Sequence, residues 1–76
     1  MPRRNCLFHE YDMVKLVKSF PEKQLDAGAL GAILLVLNMP GLPLAYEVEL
    51  TNNTDKVVLL TLFEDDFELE SETSNL

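Results

Sequence analysis

The 76-residue chain has one cysteine, Cys6, and one histidine, His9. A single cysteine excludes an internal disulfide framework. With no second Cys or His at ligand spacing there is also no zinc cluster. The lone thiol fits a reducing compartment and reads as incidental. Bases are scarce where acids are dense. Residues 44–76 hold one basic side chain, Lys56, against nine acidic ones, whereas residues 1–43 hold five basic and four acidic. The two parts balance at +1 and −8, which sum to the net charge of −7. Such a charge repels nucleic-acid phosphates and anionic membrane surfaces, so neither is an expected ligand.

A long hydrophobic run is also missing. Ala27 to Tyr46 carries no charge, but Gly28, Gly31, Asn38, Pro40, Gly41 and Pro43 interrupt it. Its continuous apolar part, Ala29 to Leu37, is far short of the ~20 residues a spanning helix needs. Met1-Pro-Arg-Arg4 resembles the start of a signal peptide, yet His9, Glu10 and Asp12 follow where an apolar region would have to be. The expected location is cytoplasmic.

What is present is enough apolar material for one small domain. Hydrophobic residues make up 47% of the chain, well outside the disordered regime. A domain of this size buries only roughly 60% of the surface its unfolded chain exposes, so the core is one thin layer. The clearest pattern is Ala45-Tyr-Glu-Val-Glu-Leu50, where alternation of period two sets Tyr46, Val48 and Leu50 on one strand face and Glu47 and Glu49 on the other. Asp12 to Phe20 fits strand and helix templates equally. The β-branched Val14 and Val17 and the stop at Pro21 favour a strand. Leu30 to Asn38 is apolar on both faces, as expected of a central strand or one bending through the core, with Gly28 and Gly31 permitting the bend. Pro40-Gly41 specifies a type II turn, and Thr51 to Asp55 a hairpin into the strand Lys56 to Phe63. Glu64 to Asp66 reads as one helical turn, and Phe67 and Leu69 as a last short strand.

These signals predict an all-β fold: a small, strongly bent antiparallel barrel of about five strands, with Val14, Leu16, Leu25, Ile33, Leu35, Tyr46, Val48, Leu59 and Leu62 as core. The domain spans residues 10–70, between a flexible N-terminal segment, 1–9, and a frayed tail, 71–76. The order Asp12-x-Val14, Phe20-Pro-Glu22, Leu25-x-x-Gly28-x-x-Gly31, Ala45-Tyr-Glu-Val-Glu49 and Leu60-Thr-Leu62 resembles a family of short bacterial proteins of unknown function. The resemblance implies an SH3-like barrel and carries no activity with it. This chain departs from the family in lacking Asp-Gly at the Asn52-Asn53 hairpin and in having Ala32 after Gly31.

Features that look chemical have plainer explanations. Gly28-Ala-Leu-Gly31 has the spacing of an RNA-clamping loop but no Lys or Arg, and it runs into an apolar strand. His9 and Glu10 lack the third group that an acid/base or metal site requires. Glu47 and Glu49 are neighbours that could gather a hard cation, but a solvated sheet face is the simpler reading. The sequon Asn52-Asn53-Thr54 has no secretory context. No enzyme, cofactor or metal is therefore expected. The functional expectation is a non-catalytic protein-interaction module, an acidic inhibitor or antitoxin-like binder of a partner protein with a basic surface. Its partner-binding residues would be Glu64, Asp65, Asp66, Phe67, Glu68 and Glu70, with Phe67 as the apolar anchor. The alternative is a structural or accessory subunit of a larger bacterial complex. Lys56 to Phe63 also presents two apolar faces where one core can use only one. The second is covered either by a second copy in a homodimer or by Leu7, Phe8, Phe67 or Leu69 of the same chain.

Overall fold

The computed structural model describes residues 8–70. The expectations for Cys6, Leu7 and the tail 71–76 lie outside the described residues. Five strands form: β1 (Met13–Leu16), β2 (Leu30–Leu37), β3 (Ala45–Thr51), β4 (Val57–Leu62) and β5 (Phe67–Leu69), with 3-10 turns at Pro21–Lys23 and Glu64–Asp66. They make one antiparallel sheet in the order β4-β3-β2-β1-β5, so the all-β class is as expected and β2 is central. The described ladders leave β4 and β5 as the two edges. Among the described residues no second layer covers the inner face, so the sheet must curl over its own side chains to keep Val14, Leu16, Ile33, Tyr46, Val48, Leu50, Leu62 and Phe67 buried.

Each turn has a local cause. Gly41, at φ +80°, and the Leu42 N–H donated to Met39 O at 3.1 Å form the type II turn that Pro40-Gly41 specifies. In the β3–β4 hairpin the left-handed residue is Asp55, at φ +64°, rather than an asparagine. Asn52 works through its side chain: Oδ1 accepts from Thr54 N–H, Thr54 Oγ1 and Lys56 N–H at 2.8 to 3.0 Å. Its Nδ2 donates to Lys23 O at 3.1 Å, docking the hairpin on the turn after β1.

Two expected core residues are outside. Leu35 is 44% exposed because the register shifts between Ile33, opposite Val48, and Leu35, opposite Glu47. Leu34 is the extra residue of this β-bulge, and it reverses the alternation so that Val36, not Leu35, faces inward opposite Tyr46. Leu59 is 60% exposed because it pairs with Glu49 on the outer face, whereas Val58, Leu60 and Leu62 follow Leu50, Val48 and Tyr46 inward. The core also takes Phe8, Leu44, Ala45, Leu50 and Phe67. Phe8, expected in a flexible segment, is buried. β1 is shorter than Asp12 to Phe20, since the chain leaves the sheet after Leu16 and Val17 N–H donates to Asp66 O at 3.0 Å.

At Gly31 the backbones of neighbouring strands come too close for a side chain. Gly31 lies between Val14 and Leu50, and a Cβ there would meet Glu49 O at 2.5 Å and the Leu50 side chain at 2.9 Å. Its role is close approach of backbones, whereas Gly28 supplies a positive φ of 97°.

Candidate partner-binding surface

The expected partner-binding residues fall into different environments. Asp66 is built into the fold. Its Oδ1 accepts from Lys18 Nζ at 2.8 Å and its Oδ2 from Phe63 N–H at 3.0 Å, with the side chain 15% exposed. Burial alone would raise its pKa, but the Lys18 hydrogen bond, the Phe63 N–H and the Lys18 charge outweigh that and hold it below the ordinary carboxylate value. The same hydrogen bond raises Lys18 above its ordinary value. Glu64 accepts from Tyr46 OH at 3.2 Å. Glu68 lies 3.7 Å from Lys15 in an exposed pair, worth at most about 1 kcal/mol. Glu70 is half-buried, and its N–H donates to Met13 O at 2.9 Å. Asp65 is exposed and makes no ion pair among the described residues.

Phe67 belongs to the core, not to the surface. It is 3% exposed and forms a triangle with Phe8 and Tyr46, the ring centroids being 4.6 to 5.6 Å apart and two of the three contacts edge-to-face. In this position it is out of reach as an anchor for a partner, and it instead ties β5 to β3 and to the N-terminal approach. Its alternation with acids in the sequence comes from β5 being an edge strand with one face on the core.

An exposed apolar site lies beside the acidic turn. Leu37, Met39, Leu42, Pro43, Ala45 and Phe63 line a cleft of about 280 Å³ with no charged side chain among them. The type II turn folds Met39 and Leu42 over one side, and Phe63, just past β4, forms the other. Phe63 is 46% exposed and runs directly into Glu64 and Asp65. The signal for this cleft was in the sequence, as two large apolar residues in a turn that had no local use for them.

The other candidate groups stay apart. Glu47 Oε2 accepts from Thr61 Oγ1 at 2.7 Å, which commits it to its cross-strand neighbour. The His9 ring is exposed, with Nδ1 3.8 Å from Asp12 Oδ2. Gly31 is within β2 and Gly28 before it, so the pair does not form a clamp loop. Among the described residues no three His, Cys, Asp or Glu side chains cluster as a metal site requires, and no helix is long and apolar enough to cross a membrane.

Residues 10–69 match the family model of a domain of unknown function, DUF4926, and the chain belongs to that family. No curated protein and no solved structure matches it.

Proposed function

We propose that the domain is a non-catalytic interaction module that binds a partner protein with a basic surface, in the manner of an inhibitor or antitoxin-like protein. The observation that carries this reading is the adjacency of the apolar cleft to Glu64 and Asp65. An apolar side chain of the partner would fill the cleft, and neighbouring Lys or Arg would face the carboxylates. Apolar contact supplies lifetime and charge supplies encounter rate, so a small site can be both selective and fast. We read the curled meander with β5 returning beside β1 as the strand order of a small SH3-like barrel, which presents such a site on a rigid frame. The exposed outer side of β4 favours a second reading, an accessory subunit of a larger bacterial complex, in which that side is an assembly surface.

The test begins with affinity capture from the native host and continues with the captured partner as ligand. Phe63→Ala should speed dissociation and cost about 1 to 3 kcal/mol, while Asp65→Asn should slow association at low salt and do little at high salt. If both variants bind with wild-type rates, the cleft is not the site. If Leu59→Lys then abolishes binding, the accessory-subunit reading takes its place.

A further inference from the structure

We propose that the chain forms a two-fold dimer through the free edge of β4, with Leu59 of one copy opposite Leu59 of the second. The hairpin bond from Asn52 N–H to Lys56 O, 2.8 Å, sets the hydrogen-bonding alternation. Val58, Leu60 and Leu62 therefore turn their backbone groups to β3, and Val57, Leu59 and Thr61 turn theirs to the open edge. These outward N–H and C=O groups have no partner among the described residues. Edge strands are ordinarily blunted by proline, charge or a bulge. Val57–Leu62 contains no proline or charge, and its register against β3 is unbroken. The same residues present apolar side chains on the outer face, where Val57 and Leu59 are 62% and 60% exposed.

The register follows from which groups are free. Centred on Leu59, an antiparallel pairing sets Val57 against Thr61 of the second copy and satisfies every open group of both strands. Centred on Leu60 it would need the Phe63 backbone, but Asp66 already takes the Phe63 N–H through Oδ2 at 3.0 Å and donates to the Phe63 carbonyl at 2.9 Å. Centred on Val58 it would need Asp55, which is left-handed and whose N–H donates to Asn52 O at 3.0 Å.

Charge and symmetry select the occupant. Lys56 makes no ion pair among the described residues. The Leu59-centred register brings it to the end of the second copy's β4, beside Glu64 and Asp65, and the two-fold axis repeats the contact. A foreign strand would satisfy the edge equally, but the open groups of Val57, Leu59 and Thr61 are symmetric about Leu59 and bounded by the committed backbones of Asp55 and Phe63, so the edge is complementary to itself. The two Phe63 side chains would lie at opposite ends of the seam, about 27 Å apart at ~3.4 Å per residue, leaving one cleft at each end.

Sedimentation equilibrium of the full chain from about 10 μM to about 1 mM tests this, the upper limit being where an interface of ordinary size should be occupied. The mass should rise from 8.6 kDa towards twice that value. Leu59→Lys should raise the dissociation constant at least tenfold, and so should Thr61→Pro, which removes an edge N–H but no bond to β3. Thr61→Val, which loses the hydroxyl to Glu47 but keeps the N–H, should dimerise like wild type. Amide exchange at Val57, Leu59 and Thr61 should slow as concentration rises. A monomer at 1 mM overturns the proposal and leaves the edge to a strand from another protein. A dimer retained by both Leu59→Lys and Thr61→Pro places self-association elsewhere and equally overturns it.

Discussion

Replacing Gly31 by alanine should destabilise the domain more than its single added methyl suggests. The new Cβ would sit 2.5 Å from Glu49 O and 2.9 Å from Leu50 Cγ and Cδ2. A carbon needs about 3.3 Å from a carbonyl oxygen, so β3 must retreat by roughly 0.8 Å from β2 at this point. The oxygen belongs to the backbone of a paired strand, so no rotamer change relieves the clash. Overpacking of this kind costs about 1 to 3 kcal/mol, and we expect the upper part of that range. In a domain this small each kcal/mol lowers Tm by about 4 to 8 °C, which places the Gly31→Ala melt roughly 10 to 20 °C below wild type. Thermal denaturation followed by circular dichroism measures it. Adding Leu50→Ala should not restore stability, since it removes only the side-chain half of the clash and opens a cavity in the core. A wild-type melt for Gly31→Ala would refute the close approach of β2 and β3.

Val48→Asp puts an unpaired charge at a position with 0% exposure and should abolish the cooperative transition, a loss beyond about 4 kcal/mol. Leu35→Asp, one residue past the bulge, should change stability by no more than about 0.5 kcal/mol in a urea titration, and a large loss there would refute the parity reversal. Phe67→Ala breaks two of the three ring contacts and should cost about 3 to 5 kcal/mol of stability. Asn52→Ala removes the acceptor for three hydrogen bonds and should cost about 1 to 2 kcal/mol. Because the native pKa of Asp66 is depressed, its contribution is fully present above its ordinary value of 3.8 and is lost as pH falls through the lower native value. The raised pKa of Lys18 contributes fully below 10.5 and is lost as pH rises through its native value. Asp66→Asn should therefore flatten the acid limb of a stability profile below about pH 4 and weaken the alkaline loss above about pH 10.5.

The strands were legible where a pattern of period two met a turn with its own chemistry. Ala45 to Leu50 lies between Pro40-Gly41 and Asn52, and both its extent and its buried face follow from the residues alone. The parity of β2 past Ile33 did not follow, because Leu34, Leu35, Val36 and Leu37 are all apolar and nothing in their order marks the extra residue. β4 has the same defect. Val57 to Leu60 is apolar throughout, and only the pairing with β3 decides that Leu59 faces out with Glu49. The place of Phe8 was only half legible: it could be expected to cover apolar surface, but it sits beside His9 and Glu10 with no periodicity, and the core position it takes comes from a long-range aromatic contact with Tyr46 and Phe67.

The candidate site shows how a charge count can mislead even when it points to the right part of the chain. The excess of acids after residue 43 reads as one negative surface, yet the fold assigns several of them to separate tasks. Asp66 holds Lys18 and the Phe63 N–H, Glu64 receives the Tyr46 hydroxyl, and Glu47 receives Thr61 Oγ1. Neutralising Glu64, Asp65 and Asp66 together would therefore confound binding with folding, because loss of the Asp66 contacts loosens the turn that positions Phe63. Asp65 separates the two effects. It is exposed, so its removal alters the local field while leaving the described hydrogen bonds in place. A loss of association rate in Asp65→Asn at unchanged Tm would report on recognition alone, whereas the same loss in Asp66→Asn, accompanied by a lower Tm, would report on the frame that supports it.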